Sequence, residues 1–350
     1  MRYFEKIKSL PIVENPIILG IETSCDETAV AIIKNGREIL ADEIISSATE
    51  HAKFGGVVPE IASRTHTTAI LDATKRALKS ANLTLSDIDA FAVTEGAGLL
   101  GALLVGVSFA KSLAYCTGKP LVPVSHIRGH IAASYLTDKA LEPPFVTILA
   151  SGGHTAIVAV DDYYSLRVLG STIDDAVGEA FDKVARVLGL SYPGGPNVEK
   201  LASNGQNNII LPKMLKNYVG GKYDFSYSGL KTAVINYVHT QESKGVEINK
   251  ADVACSFQCA AIDVLIEKAL LAIKETGYKT IAISGGVGAN GYLRERLTKA
   301  ANDNGLKLIL PEKRYCTDNG AMIGAEGYLQ YKKGNFADLD LNARAVLPFN

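Results

Sequence analysis

The stretch IILGIETSCDETAVAIIKNG, residues 17–36, decides the fold. An apolar run at 17–21 gives way to a polar turn, Glu22-Thr23-Ser24-Cys25-Asp26-Glu27-Thr28, and a second apolar run follows at 29–33. Asn35-Gly36 is a hairpin dipeptide, because both residues accept positive φ, and a third strand returns over 39–45. A helical stretch then occupies about 60–80.

The same order recurs further along the chain. Residues 145–150 read as a strand, Ser151-Gly152-Gly153 as a tight turn and 155–160 as the next strand; Asp161-Asp162 turns the chain back into 165–171. Val177, Phe181, Val184, Ala185 and Leu188 follow at helical spacing. Two copies of this pattern predict an α/β chain of two similar lobes, with the two polar turns meeting across a cleft. A third element is a strand at 280–284, the loop Gly285-Gly286-Val287-Gly288-Ala289-Asn290 and a helix over 291–301. Such a loop lets backbone N–H groups approach a ligand.

Composition narrows the class. The 350 residues are 47% hydrophobic and 21% charged, enough for two ordinary domains. The net charge of −1 leaves nucleic-acid contact to a local patch or to a partner. Lys213, Lys216, Lys222 and Lys231 form the best basic candidate, with a solvated face as the plain alternative. No apolar run approaches the roughly 20 residues that cross a bilayer, so no membrane association is expected. Residues 1–16 mix Glu5 and Glu14 with Lys6 and Lys8, which reads as a short extension, not a signal peptide. Five cysteines without a CxxC pattern point to a reducing cytoplasm.

His126 and His130 stand four apart, which on a helix puts both imidazoles on one face and suits a shared metal; the alternative is two unrelated histidines on a half-buried face. A zinc protease needs Glu directly after the first His, and Ile127 stands there. Two histidines call for an acidic third ligand. Asp318, where a loop turns into an apolar helix, is the candidate, and it is equally placed to be that helix's N-cap. Ser151-Gly152-Gly153-His154-Thr155 and Pro193-Gly194-Gly195-Pro196 are turns in which glycine admits a phosphate or merely bends the chain. Asp182 is either solvated or accepts hydrogen bonds from a ribose.

Taken together these segments resemble the TsaD family of tRNA threonylcarbamoyladenosine synthesis transferases, once misnamed glycoproteases, which have the actin-like ATPase (RNase H-like) fold. The resemblance rests on Gly20 to Thr28, Gly55 to Arg64, the histidine pair, Ser151 to Thr155, Gly178 to Ala185, Tyr192 to Pro196, Phe225 to Thr232, Asn290 and Thr317 to Gly320. It implies transfer of a threonylcarbamoyl group from its adenylate to the exocyclic amine of adenosine 37 in tRNAs that read codons starting with A. Carried over, His126, His130 and Asp318 hold one divalent metal ion, iron or alternatively zinc. Leu149, Ala150, Ser151, Gly152 and Gly153 line the adenine nucleotide, either threonylcarbamoyl-adenylate or ATP. Asp182 and Glu199 face the ribose, Gly195 admits the adenosine, and Asn290 contacts the nucleotide. Leu149 replaces the tyrosine of archaeal and eukaryotic members, so the chain is bacterial in type.

Asp26 and Glu27, on the first polar turn, are the candidates to accept the amine's proton; their alternative is a structural turn with solvated charges. The implied organisation is an extension at 1–16, a first lobe at 17–120 plus 325–350, and a second lobe at 121–324 carrying the metal and nucleotide motifs. The implied partners are tRNA, a catalytically degenerate paralogue, a small P-loop ATPase and a separate synthase that supplies the adenylate. The helical stretches at 64–81 and 105–116 offer partner surfaces or simply core. Two departures stand out. Ser125 and Arg128 occupy places where the family usually has Asn and Glu, and Arg128 puts a positive charge near a cation. A small-molecule kinase of the same fold leaves the His–His–Asp set unexplained, and a scaffold paralogue would have lost it.

Overall fold

The computed structural model describes residues 3–215 and 219–348. The chain forms two compact units, one running to Leu141 and resuming at Asp318, the other spanning Glu142–Thr317.

In the first unit, β1 (Ile17–Glu22), β2 (Glu27–Lys34) and β3 (Glu38–Ser46) form an antiparallel meander. Asn35 and Gly36 take φ of 54° and 67° at its hairpin, as their types require. β4 (Ala90–Gly96) and β5 (Leu121–Ser125) add in parallel, giving the order β3-β2-β1-β4-β5. β1 is apolar at nearly every position because both its faces are covered. Leu19 and Ile21 meet Ile70, Leu103 and Val107 on one side. Ile18, one residue out of phase, meets the opposite layer.

The helices of this unit are α1 (Tyr3–Lys8), α2 (Ala48–Ala52), α3 (Pro59–Ser80), α4 (Leu100–Thr117) and α5 (His126–Thr137). Pro59 opens α3, where a missing N–H costs nothing. Gly118 closes α4 in the left-handed conformation. The expected extension is docked through α1, whose Ile7 is fully buried. By length and composition α4 is apolar enough to cross a membrane, contrary to the reading that no run approaches that length. Ala102, Leu103, Gly106, Val107, Ala110 and Ala114 of α4 are buried within this unit.

The second unit repeats the plan. β6 (Phe145–Ala150), β7 (Thr155–Val160) and β8 (Leu166–Ser171) form the meander, with β9 (Thr280–Ser284) and β10 (Lys307–Ile309) parallel beside β6. The order β10-β9-β6-β7-β8 is the first sheet's order read backwards. Helices α6 (Val177–Val187), α7 (Gly194–Ala202), α8 (Ser228–Ser243), α9 (Lys250–Thr276) and α10 (Gly291–Asp303) surround it. The apolar stripe of α6 does bury Val177, Phe181, Val184 and Ala185.

The chain then re-enters the first unit as α11 (Gly320–Lys332). This corrects the expected boundaries of 121 and 325. β5 pairs with β4, and Met322 and Ile323 of α11 pack with Ile18, Val122 and Val124, so these segments belong to the first unit's core. The histidine pair and Asp318 therefore lie in the first unit, not the second. The fit of α11 depends on absent side chains: a Cβ on Gly20 would lie 2.5 Å from the Gly324 nitrogen.

Gly20→Ala is thus expected to destabilise the chain by about 3 kcal/mol, since backbone cannot yield as a side chain does. Gly229→Ala, where an added Cβ meets nothing within 4 Å, should be neutral or slightly stabilising. Urea unfolding of both variants checks the contrast.

Candidate metal centre and nucleotide loops

β5 ends at Ser125 and α5 begins at His126, so the four-residue spacing becomes one helical face. The His126 and His130 rings lie 4.6 Å apart, edge to face. Asp318 arrives from the other end of the first unit's sequence, just ahead of α11. The N-cap of that helix is Asn319, whose Oδ1 accepts from the Met322 N–H at 2.8 Å. Asp318 is therefore not the cap. Its Oδ1 lies 3.5 Å from His126 Nε2 and 3.3 Å from His130 Nε2. One ligand atom from each residue falls within 4.8 Å of the others. Tetrahedral bonds of about 2.1 Å would separate neighbouring ligand atoms by about 3.4 Å, so the spacing fits a metal ion. Both ring nitrogens of His130 are buried and make no well-formed hydrogen bond, Nε2 facing the Asp318 carboxylate, which suits a metal-ligand nitrogen.

Behind the histidines sits Glu22, a fully buried carboxylate at the end of β1. Its Oε2 lies 3.1 Å from His126 Nδ1 and accepts from Thr94 Oγ1 at 2.6 Å; its Oε1 accepts from the Ser24 N–H. A carboxylate on Nδ1 fixes the tautomer and leaves the Nε2 lone pair for a metal. Burial opposes charge on His126, but Asp318 and Glu22 outweigh it and lift the group to about 9. Burial, then the charge of His126, pushes His130 below its ordinary value. On the polar turn, burial and then the negative charges of Asp318 and Asp26 push the Glu27 carboxyl up. This concentration of acids in a dry setting favours a bound cation. Glu22 was not singled out from the sequence; an acid closing an otherwise apolar strand was the available signal.

Arg128 does not burden this centre. Its Nε donates to Glu326 Oε1 of α11 at 2.8 Å, and Gln330 Nε2 donates to the same oxygen at 2.6 Å. The pair is nearly buried, with 13% and 4% of the side chains exposed.

In the second unit the expected nucleotide residues are linked in a closed circuit. Ser151 O accepts from the Gly178 N–H at the start of α6. Asp182 Oδ1 accepts from the Gly194 N–H at the start of α7, at 2.7 Å. Glu199 Oε1 on α7 accepts from the Gly291 N–H at the start of α10, at 2.8 Å. Asn290 caps α10 through Leu293 N and donates to Gln258. Gly285, at φ 91°, returns to Ala150, where a Cβ would lie 2.5 Å from the carbonyl oxygen. An added Cβ on Gly152, Gly153, Gly195 or Gly286 meets nothing within 4 Å, so the rim has room for a ligand. Leu149 and Ala150 are fully buried in β6. Of the basic candidates, Lys222 pairs with Glu275 and Lys231 with Asp175, which neutralises their charge; Lys216 lies outside the described residues.

A sequence model of the family described as tRNA N6-adenosine threonylcarbamoyltransferase matches residues 38–325. The chain belongs to that family. It is accordingly a transferase that modifies tRNA. A tRNA N6-adenosine threonylcarbamoyltransferase of Clostridium perfringens strain 13 is 51% identical over 335 residues, 95% of this chain and 98% of that one. One of Clostridium botulinum strain Kyoto is 51% identical, covering 93% and 96%. Among solved structures, the HypF of T. kodakarensis superposes with a TM-score of 0.64 at 17% identity, over 95% of this chain and half of that one. Component A of the Acidaminococcus fermentans (R)-2-hydroxyglutaryl-CoA dehydratase gives 0.53 at 16% identity, over 91% and 99%. These structural likenesses agree with the two-lobed α/β fold of the repeats and with the actin-like ATPase fold that the family resemblance implied.

The arginine pair of this transferase gives a direct test. Glu326→Ala removes the carboxylate that faces a nearly buried guanidinium and should cost about 3–5 kcal/mol in denaturant unfolding. Arg128→Met with Glu326→Met should come close to the parent stability.

Proposed function

We propose that this transferase moves the threonylcarbamoyl group of threonylcarbamoyl-adenylate to the exocyclic amine of adenosine 37 in tRNAs reading codons that start with A. The convergence of His126, His130 and Asp318 carries the proposal, because a kinase of the same fold has no use for it. These three would hold one divalent ion per chain, iron in first place and zinc as the alternative. When bound, it supplies Lewis acidity toward the carbamoyl oxygen.

The remaining work falls to the chain's own groups. Glu22 keeps His126 in the tautomer that presents Nε2. The adenylate is a mixed anhydride, so its phosphate leaves as an anion and needs little protonation. As the amine nitrogen bonds to the carbamoyl carbon, the carbon–oxygen bond to AMP breaks and one amine proton must depart. Asp26 and Glu27 are the carboxylates proposed to take it. In the second unit, Leu149, Ala150, Ser151, Gly152 and Gly153 are proposed to bind the adenylate with Asn290, while Asp182 and Glu199 face its ribose and Gly195 admits the adenosine. The open space at Gly152, Gly153 and Gly195 supports this assignment. Threonylcarbamoyl-adenylate or ATP is the proposed nucleotide.

The reading also proposes a cytoplasmic enzyme acting with a degenerate paralogue and a small P-loop ATPase, and fed by a separate synthase. Leu71 on α3 and Leu104 and Tyr115 on α4 are exposed apolar side chains available to such a partner.

Two measurements test it. With purified protein, synthetic adenylate and unmodified tRNA, His126→Ala and Asp318→Asn should lose the bound metal and at least about 100-fold in transfer rate. Full transfer by the metal-free protein would reject the reading. Glu22→Gln should keep the ligands yet weaken metal affinity about 10- to 100-fold, as read by competition with a chelator.

A further inference from the structure

We propose that His51 and His66 are positioning residues that hold the peptide carrying Asp26 and Glu27, through two hydrogen-bond chains of fixed direction. The proposal rests on the catalytic reading of those two carboxylates.

Each of three consecutive carbonyls in the polar turn is tied from outside. Ser24 O accepts from the Leu99 N–H at 2.8 Å. Cys25 O lies 2.9 Å from His66 Nε2. Asp26 O accepts from the Ser47 N–H at 3.0 Å and from Ser47 Oγ at 2.8 Å. A carbonyl only accepts, so His66 Nε2 carries the hydrogen, and Nδ1 faces Thr28 Oγ1 at 2.7 Å. On His51 the Val58 N–H donates to Nδ1 at 3.2 Å, so that nitrogen holds no proton. Its Nε2–H then donates to Ser47 Oγ at 3.0 Å, whose own hydrogen passes to Asp26 O. The chain from Val58 through His51 and Ser47 to Asp26 has one polarity from end to end. Both imidazoles are fully buried, which fits orientation and not proton exchange with substrate. Burial also holds His66 below its ordinary value, in keeping with a neutral ring.

This gives work to the segment from Gly55 to Arg64, which belongs to the family resemblance but to no chemical step. Its Val58 starts one chain, and the helix it opens, α3, carries His66, which in the other accepts from the Thr28 hydroxyl and donates to Cys25 O. Displacing a catalytic group by about 1 Å can cost 10²-fold in rate, so ties on the peptide carrying it bear directly on turnover.

The test uses the full chain, steady-state transfer from threonylcarbamoyl-adenylate to tRNA, metal content and thermal midpoint. Ser47→Ala removes one hydroxyl; His66→Leu removes the ring; His66→Gln keeps an amide able to donate to Cys25 O. Ser47→Ala and His66→Leu should lower kcat about 10- to 100-fold with KM and metal content unchanged. His66→Gln should regain most of the rate. If His66→Leu does not fold, Ser47→Ala and His66→Gln decide. A folded Ser47→Ala with parental kcat, a rise in KM alone, or His66→Gln as slow as His66→Leu would each overturn the proposal. Asp26→Asn and Glu27→Gln run alongside: if both keep the parental rate, the catalytic reading fails and the clamp with it. If they lose it while the Ser47 and His66 variants do not, the clamp alone fails.

Discussion

The close seating of α11 against β1 is the constraint on which the centre depends. Gly20 and Gly324 let helix and strand backbones meet without intervening side chains, and Gly129 lets the Ile323 side chain of α11 reach the backbone of α5. Asp318, two residues ahead of α11, is thereby carried to α5 although the whole second unit separates it from His126 in sequence. Leu, Ile or Val at these glycines would hold the layers apart by a side chain's width, and ligand atoms spaced for a single ion would no longer converge.

Electrostatics then shape what that geometry gathers. Glu22, Asp26, Glu27 and Asp318 share a mostly buried region of the first unit, and buried carboxylates repel strongly unless a cation joins them. His126 responds by rising well above its ordinary value. The same field that would charge the ring without a metal would strengthen the hold on a divalent ion.

Much of this was legible in the sequence because it rests on short-range rules. Periodicity and turn residues located β6, β7 and β9 to the residue, and Asn35-Gly36 fixed the first hairpin. The His126–His130 spacing needed only the pitch of a helix. The lobe boundaries were not legible, since whether β5 joins β4 or starts a new unit is settled by pairing over long sequence distances. Asp318 and its neighbour show the finer limit: both Asp318 and Asn319 suit an N-cap, and only the packing of α11 assigns that task to Asn319. The roles of Glu22, His51 and His66 were hidden for a related reason. Each acts through a partner that the chain supplies from another element.

The pairing of Arg128 with Glu326 bears on how such a chain can change over time. A change at either position alone removes the opposite charge from a nearly buried layer between two helices. The two sites behave as one locus, and relatives with an acid at the first should carry something other than an acid at the second. A charge that would be unfavourable beside a metal ion is thus matched within the seam between α5 and α11.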